Sequence, residues 1–274
     1  MSFTVIRTNT FATMSRVMLE RVSRRAAKGM LALSSGKRIN STEDDASGFA
    51  MARQLNARKL GMQQAMANIS NAQNLLSIAA GSHQIIVNGL SRIRDLVLQG
   101  ADDSYSDSQR VAIQRQINAL IEEMDDIAVT TEFQDKTLLD GSFTGRSIQV
   151  GSQAGDTFEL NIDDVRTAAL GLIGLDVTDN AVASTSLDVV DAALQTLFQA
   201  MQTSGEILMR LDVKLGTGRT EIIALEATRS HIEDVEVGAA RYSMIRDQFI
   251  RQIGFNALSQ AIVAPQQVLS LIVS

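Results

Sequence analysis

Cysteine is absent from this chain, which excludes disulfides, thiolate metal sites and a cysteine nucleophile. Tryptophan is absent as well and aromatic residues make up only 4%, so anchors on which nucleic-acid bases could stack are scarce. Proline occurs once, at Pro265, where average usage would place about 14; almost nothing interrupts a helix. No apolar run reaches the roughly 18 residues of a membrane span. Met1-Ser2-Phe3-Thr4-Val5-Ile6-Arg7 lacks the long apolar stretch of a secretory signal peptide, so export would have to read an uncleaved segment.

What is present is apolar periodicity. Met62, Met66, Ile69, Ala72, Leu76, Ala79, His83, Ile86, Leu90, Ile93 and Val97 follow one another at steps of three or four. Leu187, Val190, Leu194, Leu197, Met201, Ser204, Leu208, Leu211, Leu215, Gly218, Ile222 and Leu225 do the same, and Ile113, Ile117, Leu120, Met124 and Ile127 repeat it over a shorter stretch. The mean step of about 3.5 residues keeps one seam facing a partner helix in a left-handed supercoil. A continuous helix from Glu43 to Gln99 would rise on the order of 85 Å at 1.5 Å per residue. The pattern predicts a mainly α fold, an elongated antiparallel coiled-coil rod with paired N- and C-terminal helices and a small β-hairpin region.

Local signals place the elements. Phe11, Met14, Val17, Met18, Val22, Met30 and Leu33 stripe a first helix that Ser34-Ser35-Gly36 ends, with Gly36 suited to the left-handed position past a helix terminus. Ser41 and Asp44 read as a capping pair opening the long second helix. Gly100 to Ser104 is a turn, and helix resumes from about Ser106 to Ala128. Ile148 and Val150, then Phe158, Leu160 and Ile162, alternate at period two around Gly151 to Asp156, a β-hairpin near 147–163. A polar link, 176–186, precedes the C-terminal rod. Helix restarts near Val235 and reaches about Ala264, where Pro265 stops it.

Charge is unevenly spread. Residues 1–40 carry a net +7, residues 236–274 a net +1 and residues 41–235 a net −14, for −6 in all. A basic helix can meet nucleic acid or an anionic membrane; in so acidic a chain it reads as a solvated or partner-paired face, with no nucleic acid and no membrane insertion expected. Signals for catalysis or metal binding are weak. His83 and His231 are the only histidines and neither has a second histidine at ligand spacing. Glu122, Glu123, Asp125 and Asp126 do not match a calcium loop, and Gly36-Lys37 lacks the upstream glycine of a phosphate-binding loop. No enzyme, cofactor or metal is expected.

The segment Leu33-Ser34-Ser35-Gly36-Lys37-Arg38-Ile39-Asn40-Ser41, continuing through Thr42-Glu43-Asp44-Asp45-Ala46-Ser47-Gly48, resembles the N-terminal signature of bacterial flagellin. Ile93-Arg94-Asp95-Leu96, Thr130-Thr131-Glu132-Phe133, Leu138 to Phe143, Val150-Gly151 to Gly155, Ser230 to Glu236 and Pro265-Gln266-Gln267-Val268-Leu269-Ser270-Leu271 resemble further blocks of that family. The resemblance covers nearly the whole chain. It implies a self-assembling structural subunit of the flagellar filament, extracellular and secreted without a cleaved signal peptide. Residues 1–40 with 236–274 would form the inner coiled-coil core and residues 41–235 the outer rod, without the hypervariable domains that many flagellins insert. The implied partners are like subunits, an export chaperone gripping the C-terminal helix, the flagellar export apparatus, and the hook-associated junction and cap proteins. O-glycans on exposed Ser or Thr around Ser142–Thr157 are a family feature that spacing does not locate.

The apolar stripes at the two ends cannot be buried by such short helices alone and gain stabilisation only against a partner. Phe11, Met14, Met18, Leu33, Ile245, Phe249, Ile253, Leu258, Leu269 and Leu271 are therefore the expected self-assembly residues. Arg92 and Leu96 match positions through which an innate immune receptor recognises the family, whereas Gln116 stands where an acidic residue would be. Gln134-Asp135-Lys136 replaces the family's usual Asn-Gly turn, so that corner is expected to be built differently. The alternative within the same structural class is the hook–filament junction protein, which commonly carries Asp-Asp-Pro where this chain has Asp44-Asp45-Ala46. Further alternatives are an enzyme on a flagellin scaffold, which would need His-Glu-x-x-His and an insert, and a coiled-coil adaptor closing into a discrete bundle.

Overall fold

The computed structural model describes the backbone of residues 9–273, and the side chains of all of these except 180–181 and 264–273. In chain order the elements are α1 (Thr10–Ser35), α2 (Ala46–Gly100), α3 (Asp107–Thr130), β1 (Glu132–Phe133), β2 (Lys136–Thr137), β3 (Arg146–Gln149), β4 (Thr157–Leu160), α4 (Asn180–Glu233) and α5 (Val237–Val273). They divide between two compact units, residues 1–57 with 224–274 and residues 58–223, and α2 and α4 each contribute to both.

The unit of residues 58–223 holds the closed core. The predicted seam of α2 is buried from Ile69 to Val97, and Val190, Leu197, Ser204 and Leu211 of α4 face the same core, joined by Ile113, Ile117 and Met124 of α3. Partners run back along α4 as α2 runs forward: Arg58 bonds Glu221 at 3.3 Å and Arg94 bonds Asp191 at 2.6 Å, so the two helices are antiparallel. Gly218 sits on the seam because a Cβ there would come within 3.3 Å of Met62 Sδ and Met66 Cγ. At the far end of α2, the buried Arg110 guanidinium donates to the carbonyls of Gly100, Asp102 and Tyr105. It thereby satisfies helix-end and turn acceptors that would otherwise lack partners.

Two antiparallel hairpins pack on this core. The hairpin that the alternation predicts is present as β3–β4, with Ile148 paired to Phe158 and Arg146 to Leu160, although Val150 and Ile162 fall outside the strands. The β1–β2 pair was not anticipated: two residues per strand leave no periodicity to read. Its corner is Gln134-Asp135, both in the left-handed region at φ 49° and 60°. The corner is therefore not built differently in kind. It takes the two-residue form that Asn-Gly favours, with side chains bearing the strain that glycine would avoid.

The remaining residues form the second unit, in which α1 packs along α5. Asn9 caps α1, its Oδ1 accepting the Ala12 N–H at 2.9 Å, and Gly36 ends the helix at φ 72°. The break after α1 meets the break between α4 and α5. The Glu233 carbonyl accepts the Arg38 N–H at 2.7 Å, Gly36 accepts from Val235 N at 3.0 Å, and Lys37 Nζ donates to Glu233 Oε1 at 2.7 Å. Three boundaries differ from expectation. The cap of α2 is Asp45, whose Oδ1 accepts the Gly48 N–H, because the Asp44 carboxylate turns back to Asn40 N, Ser41 N and Lys28 Nζ. The start of α4 at Asn180 makes most of the polar stretch Thr178 to Ser186 helical. Finally, α5 runs through Pro265 to Val273 instead of stopping near Ala264. A proline removes a single N–H from the helical ladder. The acceptor it deprives, the Ala261 carbonyl, is taken by Asn9 Nδ2 at 2.6 Å.

Candidate assembly surface

The α1–α5 pair is built unlike the core of the other unit. Among the described residues, pairing fully buries only Val22 and Ala26 of α1, and Asp247 and Ala261 of α5. Phe11 stays 61% exposed, Met14 64%, Phe249 67% and Ile253 65%, against 0% for Leu76 or Leu211 on the closed seams. Met18, Met30, Leu31, Ile245, Phe255 and Ile262 are exposed too. A soluble monomer rarely carries so many large apolar side chains exposed on one helix pair.

Two grooves run between the helices. Phe11, Met14 and Met18 line one of about 240 Å³ with Leu19, Val22 and Ile250. Leu19, Glu20, Ser23, Arg251, Gln252 and Phe255 line a neighbouring, wetter one of about 440 Å³. Gly254 lets the helices approach there, since a Cβ would lie 3.3 Å from Leu19 Cδ1. Of the expected self-assembly residues, Phe11, Met14 and Met18 thus share a groove, Ile245, Phe249 and Ile253 lie exposed on α5 outside it, and Leu33 and Leu258 are half-buried. The side chains of Leu269 and Leu271 lie outside the described residues. Leu19, Ile250 and Phe255 were missed by sequence reasoning, although each sits one helical step from a residue it singled out.

Polar contacts fix the base of the pair. Lys28 of α1 bonds Asp44 at 2.9 Å. That bond, with the Asn40 backbone N–H, holds the Asp44 carboxyl down at about 2, and Asp44 in turn raises the Lys28 ammonium. Elsewhere the candidate receptor positions are separated by environment: Arg92 and Gln116 are exposed on α2 and α3, while Leu96 is half-buried against the core. Among the described residues there is no cluster of three or more His, Asp or Glu side chains able to hold a metal ion, and no helix is long and apolar enough to cross a membrane.

Residues 6–144 match the model of the bacterial flagellin N-terminal helical region, and residues 187–272 match that of the C-terminal helical region. The chain belongs to the bacterial flagellin family. A flagellin of Halalkalibacterium halodurans is 30% identical over 247 residues, covering 89% of this chain and 91% of that one. The crystal structure of Bacillus cereus flagellin superposes with a TM-score of 0.51 at 28% identity, covering 56% of this chain and 88% of the other. A flagellar hook-associated protein of Vibrio parahaemolyticus superposes with a TM-score of 0.59 over 70% of this chain and all of its own, but at 18% identity that likeness concerns the fold alone. This flagellin is accordingly a structural subunit of the extracellular flagellar filament and not an enzyme. Nothing in these likenesses favours the junction protein specifically.

Proposed function

We propose that the filament is built through the α1–α5 pair, with residues 1–40 and 236–274 forming its inner core and residues 41–235 its outer layer. The observation that carries this reading is the contrast in burial: α2, α3 and α4 close their seams within one chain, whereas α1 and α5 leave Phe11, Met14, Met18, Phe249 and Ile253 uncovered. Burying each such side chain is worth ~1.5–3 kcal/mol, enough for a handful of them to order two helices against neighbouring copies. A heterologous contact that does not close into a ring then propagates as a helix. In the monomer the same helices are held mainly by each other, so their ordering is completed by association. The subunit leaves the cell through the flagellar export apparatus by an uncleaved segment, escorted by a chaperone on the C-terminal helix, and it joins the hook through the junction protein beneath a cap. Membership of the flagellin family supports this reading of the partners.

The test is seeded polymerisation viewed by negative-stain electron microscopy. Wild-type monomer extends short filament seeds into long uniform tubes. Phe249→Ser and Met14→Ser leave the melting of the 58–223 unit unchanged but raise the monomer concentration needed for growth at least tenfold. Limited proteolysis of the monomer trims both ends before the middle. Monomers that only cap the seeds would favour the junction protein, and closed oligomers of fixed mass would overturn the filament reading.

A further inference from the structure

Pro265 lies within α5, four residues after Ala261, and cannot supply the N–H that the Ala261 carbonyl would accept in an unbroken ladder. That carbonyl accepts instead from the side chain of Asn9, at 2.6 Å across 252 residues of sequence. The same carboxamide uses its oxygen to accept the Ala12 N–H and cap α1. One side chain thus serves two helix defects at once: the orphan donor at the start of α1 and the orphan acceptor opposite the proline of α5. We propose that Asn9 is a positioning residue for assembly, a bidentate peg that sets the axial register of α1 on α5 at the proline.

The chemistry is restrictive. A short carboxamide carries both an acceptor and a donor on one compact planar group. Aspartate keeps the cap and loses the donor; serine keeps a capping oxygen and loses the reach. Proline is equally particular, because any other residue at 265 would satisfy Ala261 from within the helix and leave the Asn9 amide without a task. The apolar contacts along the pair are permissive by comparison, since side chains one helical step apart can exchange places in a greasy groove. A polar contact between two orphan groups has one register in which it forms. Leaving a buried acceptor unmet costs more than an ordinary hydrogen bond gains, so slipped pairings are penalised.

The inference rests on the filament reading for its function, and the experiment separates the two. Seeded growth is measured for wild type, Asn9→Ser, Pro265→Ala and the double variant. Asn9→Ser is expected to raise the critical concentration about fivefold to tenfold in the proline background and less than twofold when residue 265 is alanine, which donates its own N–H. Equal penalties in both backgrounds, or no penalty for Asn9→Ser in the proline background, overturn the peg. Failure of the wild type itself to extend seeds would instead count against the filament reading. Should Pro265→Ala not assemble, solid-state NMR of wild-type filaments labelled with ¹⁵N-asparagine and ¹³C-alanine decides the matter. A carbonyl–side-chain-amide correlation that disappears in Asn9→Ser supports the contact, and its absence from the wild type refutes it.

Discussion

Mild acid should loosen the 58–223 unit through one side chain, and the effect can be sized. His83 sits on the α2 seam at 0% exposure with neither ring nitrogen hydrogen-bonded. Burial lowers its pKa, and the negative charge of Asp163 opposes that shift only in part. The folded state therefore binds fewer protons than the unfolded chain, where the imidazole titrates at 6.5. Stability conferred by keeping His83 neutral is present above that value and drains away as pH falls below it, at up to about 1.4 kcal/mol per pH unit. Between pH 7 and pH 5 the loss has a ceiling of about 1.9 kcal/mol, reached when the folded form takes up no proton. The carboxylates held near 2, Asp44 and Asp140, are lowered relative to an ordinary 3.8, so their stabilisation is retained across this window and lost only at stronger acid. His231, the other histidine, is exposed on α4. His83→Leu removes both the titration and two unpaired polar atoms. It should stabilise the unit at pH 7 by ~1–3 kcal/mol and flatten the pH 7 to 5 limb. Urea denaturation followed by circular dichroism at half-unit pH steps measures both effects. A wild-type limb as flat as that of the variant would refute the reasoning.

Two further outcomes follow from particular geometries. Replacing Gln134-Asp135 by Asn-Gly relieves two left-handed side-chain residues and should raise stability by ~1–2 kcal/mol in urea, with the β1–β2 register unchanged by NMR. Arg110→Met strands the carbonyls of Gly100, Asp102 and Tyr105 in or beside a buried site and should cost ~2–4 kcal/mol, with amide exchange rising first around the end of α2; a loss under 0.5 kcal/mol would mean water replaces the guanidinium.

Much of this was legible in the sequence, for a physical reason. A seam of period 3.5 must find a partner helix, and the residues counted along 62–97 and 187–225 are largely those that the structure buries. Gly36 was readable because a helix ending in Ser-Ser-Gly has few other uses for that glycine. Less was legible where two groups compete for one role. Asp44 and Asp45 are adjacent carboxylates ahead of one helix, and which of them caps it depends on the backbone turn at Asn40 and Ser41 and on Lys28 of α1, which together engage Asp44. The end of α5 was misplaced because a local rule about proline takes no account of a donor 252 residues away. The exposed apolar face of α1 and α5 was legible as a stripe. Its grooves were not, since Leu19 and Ile250 gain their meaning only from the packing angle of one helix on the other.

The meeting of the two helix breaks also sets an order of events in time. Lys37 and Glu233 are 196 residues apart, and bringing ends that distant together from an open chain costs about 4.7 kcal/mol of loop entropy, against about 1.8 kcal/mol for the eight-residue separation closing β3 on β4. Hairpins and neighbouring helices can therefore settle early, while contacts tying residues 36–39 to 232–235 wait until the intervening chain has shortened the gap. The helices with the most exposed apolar surface are consequently the last to be anchored. A chain organised in this way closes its middle before it ties its two ends together.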